Sequence, residues 1–168
     1  EVCCVGFEPL EIYHNYQRDH SFPGIIHEYA LWSDNKLLSL IRPEDASARS
    51  ASVCRPYDAP DVERPRSVAW AATVKGRTLD SLSDEFGPFT NVALWLDIEF
   101  AELAALQGAK ELLNSGSIKL INLETYAHLN LPAIVNLLCT QYGFKLRKVW
   151  NIGTDARRDA QDYIFTRD

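Results

Sequence analysis

The clearest hydrophobic pattern lies between residues 91 and 116, and the rest of the chain is organised around it. A continuous apolar run over residues 92–96 is too short for a helix and predicts a strand that is buried on both faces. From Leu103 to Leu113 the apolar side chains recur at steps of three and four, which predicts one amphipathic helix. Gly116 ends this helix, because glycine tolerates the left-handed conformation of a helix cap. A second buried strand is predicted over residues 118–123.

Acidic side chains follow both of these predicted strands. Asp97, Glu99 and Glu102 come after the first strand, and Glu124 ends the second. In an open parallel sheet, residues just past the carboxyl ends of the strands face the crevice where ligands bind. We therefore expect the acids to lie near one pocket. Capping of the same helix could account for Asp97 or Glu99, though less easily for both, and Glu102 is explained more simply by the helix dipole.

The remaining pattern alternates between strands and helices, which favours an α/β fold. Residues 43–66 are rich in Ser, Pro, Asp and Arg, and are predicted to form a long loop that is either functional or a disordered connection. Further strands are predicted at residues 2–7, 25–31, 37–41, 67–74, 144–150 and 162–166. Further helices are predicted at residues 10–19 and 78–86, and a last one opens at Asn130 and is closed by Gly143.

Composition narrows the class of protein. The 168 residues, 46% apolar and 24% charged, are typical of one globular domain, here residues 1–168. A net charge of -6 argues against a nucleic-acid partner. No apolar run approaches the ~20 residues of a membrane helix, so no membrane partner is expected. The four cysteines have neither metal-ligand nor disulfide-framework spacing, so we expect no metal site and a cytoplasmic location.

The segment LWLDIEFAELAALQGAKELL, followed by IKLINLE, resembles the signature of the FkbM-type methyltransferases. That signature is an apolar strand, Asp-x-Glu-Gly-x-Glu, a helix, and a strand that ends in Glu. The segments GFEP, ALWSD and TLD match further positions of the family. The resemblance implies a Rossmann-like class I methyltransferase sheet, mostly parallel with an antiparallel C-terminal strand. It also implies S-adenosylmethionine as cofactor and O-methylation of a small hydroxylated acceptor, such as a sugar or natural product.

The resemblance also suggests roles for individual residues. Asp97 is expected nearest the methyl group of the cofactor, with Glu99 and Glu124 as acceptor-binding or general-base residues. Glu8 matches the position that holds the ribose hydroxyls, although an acid there also complements a helix N-terminus. Glu28 and Tyr29 are candidates for contact with the adenine.

The chain departs from the family pattern in two places. The first strand of the family and its Gly-rich loop precede the position of Glu8 by one strand-helix unit, and nothing in this chain fills that place. We therefore expect an N-terminally truncated domain whose sheet is completed by upstream residues, by a partner or swapped strand, or by rearrangement. Phe100 replaces the family glycine, and its side chain either narrows the pocket, plugs it, or turns into the helix packing.

Two further functions remain open alongside the methyltransferase. The main alternative is a catalytically inactive relative that serves as a binding or assembly module. A nicotinamide-dependent oxidoreductase is disfavoured, because its Gly-rich fingerprint loop is equally absent and it does not need the acidic block.

Overall fold

The computed structural model describes residues 3–11, 13, 19, 21–43, 55–56, 68–86, 88–126, 130–151 and 160–168. The strands there are β1 (Val5–Phe7), β2 (Ile25–His27), β3 (Ala30–Leu31), β4 (Lys36–Pro43), β5 (Arg55–Pro56), β6 (Val68–Arg77), β7 (Val92–Leu96), β8 (Ile118–Tyr126), β9 (Lys145–Asn151) and β10 (Ala160–Thr166). The helices are α1 (Leu79–Phe86), α2 (Glu102–Gln107), α3 (Lys110–Ser115) and α4 (Leu131–Val135), and α4 continues into a π-helical segment, Asn136–Gln141.

The described strands form three small sheets, with orders β1-β2, β7-β8-β10-β9 and β3-β6-β4-β5. The predicted α/β class is confirmed, but in place of one mostly parallel sheet there are several sheets that mix parallel and antiparallel strands. The pairs β1–β2 and β7–β8 are parallel. Strand β10 runs antiparallel to both of its neighbours, β8 and β9, as predicted for the last strand.

The segment between β7 and β8 crosses over through two helices, where the sequence predicts one. The break falls at Gly108, which lies between α2 and α3. A Cβ atom at Gly108 would lie 2.1 Å from the backbone oxygen of Trp32, so only glycine allows this close approach. The predicted stop is confirmed, since Gly116 caps α3 with a left-handed φ of 74°.

The main hydrophobic core lies on one face of the sheet β7-β8-β10-β9. Its buried side chains come from the four helices and from the strands, and among them are Leu82, Leu96, Leu106, Leu113, Ile121, Leu123, Ile134, Leu138 and Phe165. The prediction that the first strand is buried on both faces is wrong, because Trp95 is 73% exposed.

A second core joins the other sheet to the segment that follows β7. Its buried side chains are Leu10, Trp32, Leu38, Leu40, Val74 and Ala101. Ile98 packs against both cores. The turn between β7 and α2 is therefore held between two packed regions.

Several other predictions can be compared with the structure. The helix predicted over residues 78–86 is α1, and the Thr78 Oγ1 atom accepts a hydrogen bond from the Ser81 N–H at 3.1 Å. The strand predicted over residues 25–31 is divided: β2 pairs with β1, and β3 pairs with β6. Most of the helix predicted over residues 10–19, and most of the loop predicted over residues 43–66, lies outside the described residues.

Candidate functional site

The structure brings together three of the acids singled out in the sequence. Asp97 directly follows β7 and Glu124 lies near the end of β8, so the parallel pairing of these strands places both at one edge of the sheet. The Glu124 carboxyl forms a hydrogen bond with the side chain of Asp97 and feels the charge of Glu99. We call these three residues, together with Asp162, whose charge also acts on Glu124, the acidic cluster.

The proton affinity of Glu124 is unusually high for a glutamate. Burial raises its pKa to about 7, with further contributions from the charge and hydrogen bond of Asp97 and from the charges of Glu99 and Asp162. Like charges that share a site favour the protonated form of one member. Glu124 therefore exchanges its proton near neutral pH, which is the range in which a general acid or base is most effective.

Asp162 is a member of the cluster that the sequence did not single out. It lies on β10, opposite Glu124 in the antiparallel register. Its own pKa is raised by burial and by the charge of Asp97. A weak signal for Asp162 exists in the sequence, since it is an acid directly before the apolar run of the last strand, but the pairing of β10 with β8 could not be deduced from it.

Glu102 has a different environment from the one that the sequence suggests. It occupies the first turn of α2 but is only 1% exposed. Burial raises its pKa to about 7, whereas hydrogen bonds with the backbone of Glu102 itself, Ile98 and Phe100 act in the opposite direction. Among the described residues, its Oε2 atom has no hydrogen-bond partner. A helix-dipole role alone does not explain this burial.

The turn that carries Glu99 has an unusual backbone. Glu99 and Phe100 have φ values of 47° and 74°, in the left-handed region that favours glycine. Phe100 thus keeps the backbone conformation that a glycine would adopt most easily, with its side chain partly buried. The Asn130 Nδ2 atom donates a hydrogen bond to the Phe100 carbonyl oxygen at 3.4 Å.

Glu8, Glu28 and Tyr29 are the residues predicted to contact the nucleoside part of the cofactor. The Glu8 Oε1 atom accepts a hydrogen bond from the Leu10 N–H at 2.9 Å, as expected of an acid at a helix start. Glu28 and Tyr29 line a cavity of about 460 Å³, within the size range of small-molecule sites. The lining of this cavity includes Pro9, the neighbour of Glu8, but none of the acidic cluster.

No group of three His, Cys, Asp or Glu side chains in the described part of the chain could hold a metal ion. Within the same part, no helix has both the length and the apolar character required to cross a bilayer.

The sequence matches the family model described as the methyltransferase FkbM domain over residues 1–146. This match includes the two parallel strands and the first three members of the acidic cluster. The chain belongs to the FkbM methyltransferase family. Comparisons with curated proteins and with solved structures gave no match. Membership of the FkbM family supports methyl transfer as the activity. The fourth member of the acidic cluster, Asp162, lies beyond the matched region.

Proposed function

We propose that this protein is an S-adenosylmethionine-dependent methyltransferase that methylates a hydroxyl group of a small acceptor, such as a sugar or natural product. One observation carries the proposal: three carboxyl groups of a chain in the FkbM family converge at the ends of two parallel strands. These groups belong to Asp97, Glu99 and Glu124.

The carboxyl groups of the acidic cluster are chemically suited to bind S-adenosylmethionine. S-adenosylmethionine supplies an electrophilic methyl group on a positively charged sulfonium, and carboxylates in a partly desolvated site complement positive charge. Asp97 is the residue assigned to this charged end. Glu8 is assigned to the ribose hydroxyls. Glu28 and Tyr29 are assigned to the adenine, since the cavity they line is large enough for a ring of that size.

The acceptor would be handled by the other carboxyl groups. Glu124, with a pKa of about 7, can take the proton that an acceptor hydroxyl loses as its oxygen is methylated. Their hydrogen bond forms when Glu124 is protonated, so Asp97 stabilises the state in which Glu124 has taken the proton. Glu99 is assigned to bind the acceptor hydroxyls, and together these groups would hold the acceptor in line for reaction.

We further propose a Rossmann-like class I arrangement that is completed by one more strand, from upstream residues of the protein, from a partner, or from a swapped copy of the chain. Within the described residues, β1 pairs only with β2, and β7 pairs only with β8. Among the described residues, each of these two strands therefore has one edge with no strand beside it, and the N–H and C=O groups of such an edge can accept a further strand. The parallel pair β7–β8 and the antiparallel β10 between β8 and β9 support this arrangement.

A binding or assembly module without catalytic activity is the second candidate. The exposed tryptophans favour it: Trp95 is 73% exposed and Trp150 is 50% exposed. Aromatic side chains of this kind are enriched at interfaces. In either case we place the protein in the cytoplasm, without a nucleic-acid partner, on the basis of its net charge of -6 and its cysteine spacing.

Calorimetric titration with S-adenosylhomocysteine, followed by transfer of labelled methyl groups to a panel of sugars and hydroxylated natural products, tests the proposal. We expect binding to the wild-type chain, weaker binding by Asp97→Asn, and loss of methyl transfer by Glu124→Gln with binding retained. Asp84→Asn is the matched control, because Asp84 is exposed on α1. Absence of binding by the folded protein would favour the module.

A further inference from the structure

The turn over residues 98–101 holds an energetically unfavourable backbone conformation. Glu99 and Phe100 are both left-handed, and such a conformation costs about 1–2 kcal/mol for a residue other than glycine. Backbone strain of this kind persists only where the surrounding structure enforces it. Within the turn, the Ala101 N–H donates a hydrogen bond to the Ile98 carbonyl oxygen at 3.3 Å.

Two buried polar side chains hold this turn from outside. The Glu102 carboxyl, 1% exposed, interacts through hydrogen bonds with the backbone of Ile98 and Phe100. Asn130, 3% exposed, donates to the Phe100 carbonyl oxygen from the start of α4. The turn is thus fixed on both its N–H and its carbonyl groups.

The position of the turn decides where Glu99 lies. The charge of Glu99 is felt by Glu102 on one side and by Glu124 on the other. Glu99 therefore belongs to the acidic cluster only while the left-handed turn is maintained. Asp97 and Glu124 are placed by β7 and β8 and do not depend on the turn in the same way.

We propose that Glu102 is a positioning residue, which holds the left-handed turn through its carboxyl group and thereby keeps Glu99 in the acidic cluster. Glu102 acts through Glu99 and is not assigned a contact with substrate or cofactor. The role of Glu99 in binding the acceptor rests on the proposed function, whereas the placement of Glu99 by Glu102 does not.

The burial of Glu102 separates this role from a general helix-stabilising one. A glutamate that merely complements a helix dipole can remain in solvent, as Glu111 does in the first turn of α3. Glu102 is instead only 1% exposed, and its Oε2 atom has no hydrogen-bond partner among the described residues. Burying a polar atom without a partner costs free energy, and in native proteins such an atom calls for an explanation.

The proposal can be tested by following the titration of the Glu124 carboxyl by carbon NMR in the full chain. The groups that face Glu124 are Asp97 after β7, Glu99 on the turn and Asp162 on β10, and the group that faces Glu102 is Glu99. Displacement of Glu99 removes one of the negative charges near Glu124. The titration midpoint of Glu124 should then fall.

Glu102→Gln keeps an acceptor oxygen of the same reach, so the Glu124 midpoint should stay near the wild-type value of about 7. Glu102→Asp keeps the carboxyl group but is one methylene shorter, so the turn should relax and the titration midpoint of Glu124 should shift downward. Glu102→Leu should shift it likewise if the chain folds, and Glu111→Gln is the matched control without effect. A wild-type midpoint near 4.5, a downward shift in Glu102→Gln, or no shift in Glu102→Asp would overturn the proposal.

Failure of this proposal and failure of the proposed function give different results. The titration needs no cofactor and no acceptor, so it reports the placement of Glu99 even if calorimetry finds no binding of S-adenosylhomocysteine. Conversely, the wild-type protein could bind S-adenosylhomocysteine and transfer methyl groups while the Glu124 midpoint is unchanged in Glu102→Asp. That result would support the proposed function and contradict the positioning role of Glu102.

Discussion

Asp162 lies directly opposite Glu124 across the antiparallel pair β10–β8, and both are acids. Side chains in such a pair have Cβ atoms about 4.5–5.5 Å apart, and like charges in this relationship are unfavourable. The charge of Asp162 accordingly contributes to the raised pKa of Glu124. Strand β10, which lies beyond the region that matches the family, thus raises the pKa of Glu124, the residue proposed as general base.

Asp162→Asn should lower the pKa of Glu124, because it removes a neighbouring negative charge without changing the size of the side chain. The measurement is the Glu124 titration midpoint by carbon NMR. If methyl transfer is established, the acidic limb of its pH profile should move to lower pH by the same amount. Asp84→Asn should leave both unchanged. An unaltered midpoint in Asp162→Asn would mean that the two carboxyl groups do not interact in solution.

The convergence of Asp97 and Glu124 could be predicted from the sequence, because both follow apolar runs of strand length. Parallel pairing of successive strands then puts them at one edge. Asp162 could not be placed in the same way, since an antiparallel register depends on which strand β10 joins. The sequence contains no local signal that inserts β10 between β8 and β9.

Glu102→Gln should change how the stability of the protein depends on pH. The pKa of Glu102 is raised from 4.5 to about 7 in the folded chain, mainly by burial. Between these values the unfolded chain loses the proton while the folded chain keeps it, so the free energy of unfolding falls as the pH rises. At 1.36 kcal/mol per pKa unit the loss is on the order of 3 kcal/mol, complete above about pH 7.

Urea unfolding of wild type and Glu102→Gln at pH 4.5 and pH 8 measures this effect. The difference in stability between the two pH values should be smaller in the variant, whatever its absolute stability. Glu111→Gln is the control, because Glu111 is exposed at the equivalent place in α3. Equal pH dependence in wild type and Glu102→Gln would contradict the raised pKa.

The burial of Glu102 was missed because local periodicity places it only on the first turn of a helix. Its environment comes from tertiary packing, in which Ala101 enters the second core and Ile98 contacts both cores. The prediction of a single helix between β7 and β8 was wrong for a related reason. The approach of Gly108 to the backbone of Trp32 joins residues far apart in sequence, and no helical pattern reveals it.

Substitutions at Phe100 should separate the contribution of its backbone conformation to stability from the contribution of its side chain. Phe100→Ala and Phe100→Gly both remove the ring, but only glycine adopts a φ of 74° without penalty. The glycine variant should therefore be more stable than the alanine variant, by about 1 kcal/mol in urea unfolding. At Ala101, where φ is -92°, Ala101→Gly should instead destabilise. Equal stability of the two Phe100 variants would indicate that the turn is not left-handed in solution.

Asp80 provides the last test, because it caps a helix to which it does not belong. Its two carboxylate oxygens accept hydrogen bonds from the Glu111 N–H at 3.0 Å and the Leu112 N–H at 3.1 Å. The residue that precedes α3, Ala109, has no side chain able to do this. Asp80→Ala leaves both N–H groups without this acceptor and should cost about 1–2 kcal/mol of unfolding free energy.

Urea unfolding of Asp80→Ala, with Asp84→Ala as the matched control on the same helix, gives the measurement. Asp84 is exposed, so its removal should change the stability by no more than about 0.5 kcal/mol. Asp80→Asn keeps one acceptor oxygen and should fall between wild type and Asp80→Ala. Since α3 leads directly into β8, loss of this cap should also speed amide exchange in α3 before it affects β7. Uniform exchange across the chain would instead indicate global destabilisation.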